Sequence, residues 1–104
     1  MLNKLKILKA LSDPTRFKII ELLLRNDFCV GALSNRLNIT EAAISQHLKV
    51  LREAGLIWGE KRGYFTHYSV KQEVFKELSE EFSNLYELCI EKNKTCNNSC
   101  HKKC

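Results

Sequence analysis

The sequence predicts a mainly α-helical domain with a small β-hairpin, arranged as a winged helix-turn-helix. Apolar residues recur at helical spacing through most of the chain, residues that favour helix ends separate these segments, and one stretch is rich in β-branched and aromatic residues. The 104 residues are enough for one compact domain and exclude a multi-domain enzyme. Hydrophobic residues make up 44% and charged residues 28%, which excludes a disordered chain.

Two helices are predicted at the start of the chain. Leucines at a spacing of three residues indicate a short amphipathic helix over residues 2–11. Asp13 is a good N-cap and Pro14 suits the first helical position, so a second helix is expected over residues 14–25. The positions that this second helix is expected to bury are Phe17, Ile20, Leu23 and Leu24.

The next two helices are predicted to form a helix-turn-helix. A short helix over residues 31–37 and a longer one over residues 41–54 are separated by a tight connection that contains Asn38. Thr40 suits the N-cap of the longer helix, and Gly55 suits its C-terminal end. The inward positions of the longer helix are Ala43, Ile44, Leu48 and Leu51.

A β-hairpin and a long last helix complete the prediction. Residues 56–61 and 64–70 flank a turn at Arg62 and Gly63, and both segments have the composition of strands. The last helix carries apolar residues at alternating spacings of three and four, which is the pattern of a helix that packs against another helix. These positions are Phe75, Leu78, Phe82, Leu85 and Cys89. We expect a homodimer formed through the terminal helices, because so small a domain offers this helix no partner.

Charge is distributed unevenly along the chain. Residues 1–71 hold 12 basic and 6 acidic groups, residues 72–91 hold six Glu and one Lys, and residues 92–104 hold four Lys and no acid. The basic body suits a polyanionic partner. We therefore expect a DNA-binding and dimerisation domain over residues 1–92 and a cysteine-rich tail over residues 93–104. The chain has no apolar run near the roughly 20 residues of a membrane helix and no signal peptide, so a cytoplasmic protein without membrane contact is expected.

The helix from residue 41 and the hairpin tip supply the candidate contacts to double-stranded DNA. Gln46 can pair with adenine, Ser45 can bond a base or a phosphate, and basic side chains suit phosphates. His47 has two interpretations, a contact to DNA or a structural hydrogen bond to the preceding helix. The candidate DNA-binding residues are Glu41, Ala42, Ser45, Gln46, His47, Lys49, Arg52, Lys61 and Arg62.

Three separated motifs resemble the arsenic-repressor (ArsR/SmtB) family of winged-helix regulators. They are the segments 11–16 and 44–57 and the Arg62-Gly63 turn before Tyr68, and the likeness covers about residues 5–90. The resemblance implies a homodimer that represses transcription by binding a palindromic operator and releases it when an inducer binds. It does not identify the inducer, because members of the family sense metals, metalloids or persulfides.

The cysteines indicate which inducer to expect. The family's arsenic-type site uses a Cys-x-Cys pair, but this chain has only Cys29 there, with Gly31 at the second thiol position. The family's zinc site on the last helix needs histidine, and residues 72–91 contain none. The candidate metal ligands are therefore in the tail: Cys96, Cys100 and Cys104, with Cys89, His101 and Cys29 as accessory ligands.

Three thiolates suit As(III), Sb(III), Cd or Pb, and His101 could complete a zinc site. We take As(III) as the first candidate for the inducer. A thiol-redox or persulfide-sensing repressor that uses Cys29 and Cys89 is the alternative, and a metal-storage or thiol-redox module without specific DNA binding is a second. An enzyme is not expected, because the sequence has no CxxC motif, no phosphate-binding Gly-rich loop and no hydrolytic His and carboxylate set.

Overall fold

The computed structural model describes the backbone of residues 3–99 and the side chains of residues 3–94. Five helices and three strands follow one another within this part of the chain, and its contacts divide it into two compact units with the boundary after Val74. The elements are α1 (Lys4–Leu11), α2 (Pro14–Leu23), β1 (Phe28–Cys29), α3 (Val30–Leu37), α4 (Glu41–Glu53), β2 (Ile57–Arg62), β3 (Phe65–Val70) and α5 (Gln72–Ser99). This is the predicted winged helix-turn-helix, and the fold prediction is confirmed.

Helices α2 and α4 begin where their predicted N-caps, Asp13 and Thr40, place them, whereas α2 ends at Leu23, two residues before the predicted end. The Asp13 carboxylate accepts the backbone N–H of Arg16 at 2.9 Å, and the Thr40 hydroxyl accepts that of Ala43 at 3.1 Å. Each bond satisfies one of the N–H groups that the first turn of a helix leaves without a partner. Gly55 follows α4 with a φ of 84°, a left-handed conformation that favours glycine.

The three strands form one antiparallel sheet of order β1-β3-β2. Of this sheet, only the hairpin of β2 and β3 was predicted. Strands β2 and β3 pair from Ile57 opposite Val70 to Arg62 opposite Phe65, which leaves a two-residue loop. Gly63 occupies the first loop position with a φ of 67°, where a hairpin of this length favours glycine. Strand β1 has only two residues, too few to give a periodic signal in the sequence.

The core of the first unit consists of aliphatic side chains from the helices and β2. The fully buried ones include Ile19, Ile20, Leu33, Ile44, Leu48, Leu51, Leu56 and Ile57. The prediction that Phe17 and Leu24 are buried is wrong, because these side chains are 48% and 59% exposed. Helix α2 turns Ile19, Ile20 and Leu23 inward, and at about 100° per residue the other two positions lie roughly 100° away from that face.

The last helix, α5, carries most of the exposed apolar side chains of the second unit. Its predicted apolar positions differ in burial, since Phe75 is half-buried and Leu78 is buried, whereas Phe82 and Leu85 are 51% and 53% exposed. Tyr86 is also exposed. No helix within the described residues combines the length and the apolar character needed to cross a membrane.

Candidate nucleic-acid interface

Helix α4 is presented by a sharp turn after α3. Asn38, the C-cap of α3, adopts a left-handed conformation with a φ of 56°, which asparagine tolerates better than most residues. The Ser34 hydroxyl donates to the Ile39 carbonyl at 2.5 Å and holds the turn against α3. The two helices of the predicted helix-turn-helix are therefore fixed by backbone conformation and by one side-chain hydrogen bond.

The two faces of α4 are chemically distinct. Ile44, Leu48 and Leu51 are buried at 0–1% exposure and attach the helix to the core. The rest of the helix surface presents the exposed residues Glu41, Ala42, Ser45, Gln46, Lys49 and Arg52. All six were candidate DNA contacts, and the short polar side chains lie in the first half of the helix with the two cations in the second half. An α-helix fits the major groove of B-DNA, where amide and hydroxyl side chains reach base edges.

The hairpin carries two of the three remaining candidate DNA contacts, Lys61 and Arg62, but it holds them differently. Lys61 is exposed. Arg62 places Nη2 at 2.9 Å from both the Asp27 and the Glu60 carboxylates, so its guanidinium is bound within the protein. The hydrogen bonds that Arg62 donates to these carboxylates raise the pKa of Arg62, with the bond to Glu60 the larger cause. Arg62 therefore acts as a link from the hairpin to the segment before β1, a contact that the sequence analysis did not anticipate.

Tyr64 is a surface residue that the sequence analysis missed. It occupies the second position of the hairpin loop and is 97% exposed. Tyr64 is placed in the loop by the pairing of Arg62 with Phe65, and the sequence alone does not determine that register. The hairpin tip therefore presents two exposed side chains, the aromatic ring of Tyr64 and the ammonium group of Lys61.

His47 lies between the exposed and the buried face of α4. Its Nδ1 is 3.4 Å from Arg16 Nη1 and 4.0 Å from Asp13 Oδ2, both at the start of α2. Its side chain is 24% exposed. Of the two interpretations of His47, the contact to the preceding helices is the one for which the structure supplies a partner.

The cysteines fall in three places. Cys29 is half-buried in β1 and pairs in register with His67 of β3, whereas Cys89 is exposed on α5. Cys96 belongs to α5, while Cys100, His101 and Cys104 lie outside the described residues. Within the part of the chain that the structure describes, no three Cys, His, Asp or Glu side chains are grouped to hold a metal ion. Cys29 and Cys89 thus form no metal site with other described residues.

Several known proteins are similar to this chain in both sequence and fold. A family model described as "Bacterial regulatory protein, arsR family" matches residues 13–58. The transcriptional repressor SdpR of Bacillus subtilis is 38% identical over 71 residues, which are 68% of this chain and 79% of that protein. A homologue of the cadmium resistance transcriptional regulatory protein CadC from Staphylococcus aureus is 38% identical over 77 residues, or 73% of this chain and 64% of that protein.

The fold comparison gives the same result. The solved structure of reduced HlyU from Vibrio cholerae is similar with a TM-score of 0.65 and 37% sequence identity, and the match covers 80% of this chain and 87% of that one. The sequence comparison and the fold comparison therefore both point to bacterial transcriptional regulators. The chain belongs to the arsR family of bacterial regulatory proteins, and the prediction of a DNA-binding transcriptional regulator rather than an enzyme is confirmed.

Proposed function

We propose that this protein is a repressor that binds operator DNA as a homodimer and is released by a thiophilic metal or metalloid. The observation that supports DNA reading by α4 is the separation of its two faces, because the exposed polar face is free of any role in the core. In a two-fold symmetric dimer, two such helices would enter successive major grooves about 34 Å apart. Lys49 and Arg52 would bind phosphates, and Ser45 and Gln46 would contact bases.

The proposed dimer uses α5. Phe82, Leu85, Tyr86 and Leu88 are 51–67% exposed, and side chains of this kind are usually covered by another surface. The spacing of Phe82, Leu85 and Cys89 is that of a helix-helix seam, so we assign a second copy of α5 as the partner. Two-fold symmetry would pair the same residues on both copies.

The proposed inducer site is the tail, residues 93–104, which follows the DNA-binding and dimerisation domain of residues 1–92. Cys96, Cys100 and Cys104 would supply three thiolates, a ligand set for As(III), Sb(III), Cd or Pb, with zinc as an option if His101 joins. As(III) is our first candidate, and the relative named for cadmium resistance makes Cd the second. Cys89 remains an accessory ligand, since seven residues of helix separate it from Cys96 by about 10.5 Å along the axis.

An anaerobic titration of the reduced protein tests the inducer. Thiolate-to-metal absorption and the number of free thiols are followed as As(III), Sb(III), Cd(II), Pb(II) or Zn(II) is added, and release of a fluorescent operator is measured in parallel. We expect one ion per tail, about three thiols consumed, and operator affinity reduced about 100-fold, which needs about 2.7 kcal/mol of coupling. The full-length variant with Cys96, Cys100 and Cys104 changed to Ser should lose both responses, whereas Cys29→Ser should keep them. Unchanged release by the triple variant would overturn the tail as the inducer site.

A thiol-based sensor is the second candidate function, and Cys29 supports it. Its partner in the strand register is His67, whose buried Nδ1 has no hydrogen-bond partner among the described residues. If this candidate is correct, mild oxidation or persulfide releases the operator from the wild-type protein, and metal ions do not. Cys29→Ser or Cys89→Ser should abolish the release by oxidation or persulfide.

A further inference from the structure

Three helices meet at the side chain of Arg16. Its Nε donates to the Ala10 carbonyl near the end of α1 at 2.7 Å, while its backbone N–H donates to the Asp13 carboxylate at the start of α2. Its Nη1 lies 3.4 Å from Nδ1 of His47 in α4. One guanidinium therefore connects the end of α1 and the start of α2 to the helix that presents the exposed polar face.

The chemistry of the two groups fixes the direction of the hydrogen bond. A guanidinium has five N–H donors and no acceptor, so in a hydrogen bond between these two groups Nδ1 of His47 is the acceptor, and the Asp13 Oδ2 that could accept from Nδ1 lies farther away at 4.0 Å. A neutral imidazole that accepts at Nδ1 carries its proton on Nε2. A hydrogen bond across this contact consequently requires the His47 tautomer with its proton on Nε2.

The position of His47 in the sequence gives this bond its importance. Ser45 and Gln46, the two side chains suited to base edges, immediately precede it in α4. Rotating a helix about its axis moves every side chain on it together, because adjacent residues are fixed about 100° apart. A restraint on His47 is thus also a restraint on the direction in which Ser45 and Gln46 point.

We infer that His47 is a positioning residue for DNA recognition, in which Nδ1 accepts from Arg16 and so sets the rotation of α4 against the corner of α1 and α2. Asp13 assists by holding the Arg16 backbone through the N-cap bond. In this role His47 itself does not read a base. The contacts of Arg16 and His47 hold α4, and the effect of this on DNA reading rests on the proposed operator binding.

Two substitutions separate positioning from a direct DNA contact. The amide of asparagine reaches the place of Nδ1, whereas the longer glutamine places its amide near Nε2. His47→Asn should retain the acceptor for Arg16 and keep operator affinity within about threefold, whereas His47→Gln should weaken it about tenfold, as expected for a lost hydrogen bond to a charged group. Fluorescence anisotropy with operator DNA measures both, and thermal unfolding shows whether each variant is folded. The opposite order, or equal losses, would overturn the inference.

The imidazole can also be observed without DNA. Nitrogen-15 NMR of the wild-type protein distinguishes the two neutral tautomers, and we expect His47 to carry its proton on Nε2. Arg16→Lys, which keeps the positive charge but removes the Nη1 donor, should shift the Nδ1 resonance. A His47 with its proton on Nδ1 would overturn the inference even if operator binding were intact. A wild-type protein that bound no operator would refute the proposed function. The NMR measurement would still decide whether His47 accepts from Arg16, because it is made without DNA.

Discussion

The first unit, residues 1–74, and helix α5 use apolar side chains in different ways. In the first unit, aliphatic residues such as Leu48 and Leu51 are buried at 0–1% exposure, and the helix ends are capped. From Phe82 onward, α5 leaves aromatic and leucine side chains 51–67% exposed. The difference indicates that the first unit is stabilised by its own core, whereas α5 has an exposed apolar surface that the proposed dimer would cover. We therefore expect the stability of the core and the assembly of the dimer to respond to different substitutions.

The largest effect is expected from a cavity in the core of the first unit. Leu48→Ala removes a side chain with 1% exposure and should lower the free energy of unfolding by about 2–5 kcal/mol. Leu24→Ala is the matched control, because that side chain is 59% exposed and its loss should cost less than about 1 kcal/mol. Urea denaturation measures both. Similar losses for the two variants would contradict the assignment of the core.

Next in size is the effect of a charge on the exposed face of α5. Leu85→Asp should convert the dimer to a monomer, since a carboxylate would have to be desolvated at the seam, and it should weaken operator binding about 100-fold through loss of the second half-site. Light scattering and DNA titration check the two outcomes. Asn84→Asp adds the same charge one residue away from the seam and should leave the dimer intact. A dimeric Leu85→Asp protein would show that α5 is not the interface.

The smallest effect concerns the link between the hairpin and the segment before β1. A hydrogen bond with the Ser69 side chain and the bond from Arg62 lower the pKa of Asp27 below its ordinary 3.8. A lowered pKa stabilises the fold above 3.8, and that contribution is lost as the pH falls through the folded value. Asp27→Asn should therefore be less stable than wild type at pH 7, and the gap should narrow towards pH 3. Urea denaturation at both pH values checks this, and a gap independent of pH would contradict it.

Local signals in the sequence were sufficient to identify the helices and the hairpin, but the hairpin loop is Gly63-Tyr64 and not the predicted Arg62-Gly63, since Arg62 belongs to β2. Asp13, Thr40 and Gly55 fix helix ends through their own backbone or side chain, so each boundary depends on neighbours within a few residues. Long-range contacts could not be predicted in this way. Arg62 meets Asp27 across 35 residues of sequence, and Arg16 meets His47 across 31.

The wrong prediction that Phe17 and Leu24 are buried also arises because long-range contacts cannot be predicted from local sequence. The hydrophobic pattern of α2 allows more than one inward face, and contact with the other elements selects the one that contains Ile19. The candidate DNA contacts on α4 were easier to place, because Ile44, Leu48 and Leu51 define one face without ambiguity. What remained beyond sequence analysis was the set of partners of the polar side chains.

The separation of the two faces of α4 also has a consequence for how such a protein can diversify. The residues that hold the helix in the core and those that face outward share the helix but no contact surface, so substitutions at Ala42, Ser45 or Gln46 leave the folded core unchanged. Exposed helix positions of this kind usually change stability by less than about 0.5 kcal/mol. Under the proposed reading of DNA by α4, new operator preferences could therefore be selected, in nature or in a library, on a scaffold that already folds.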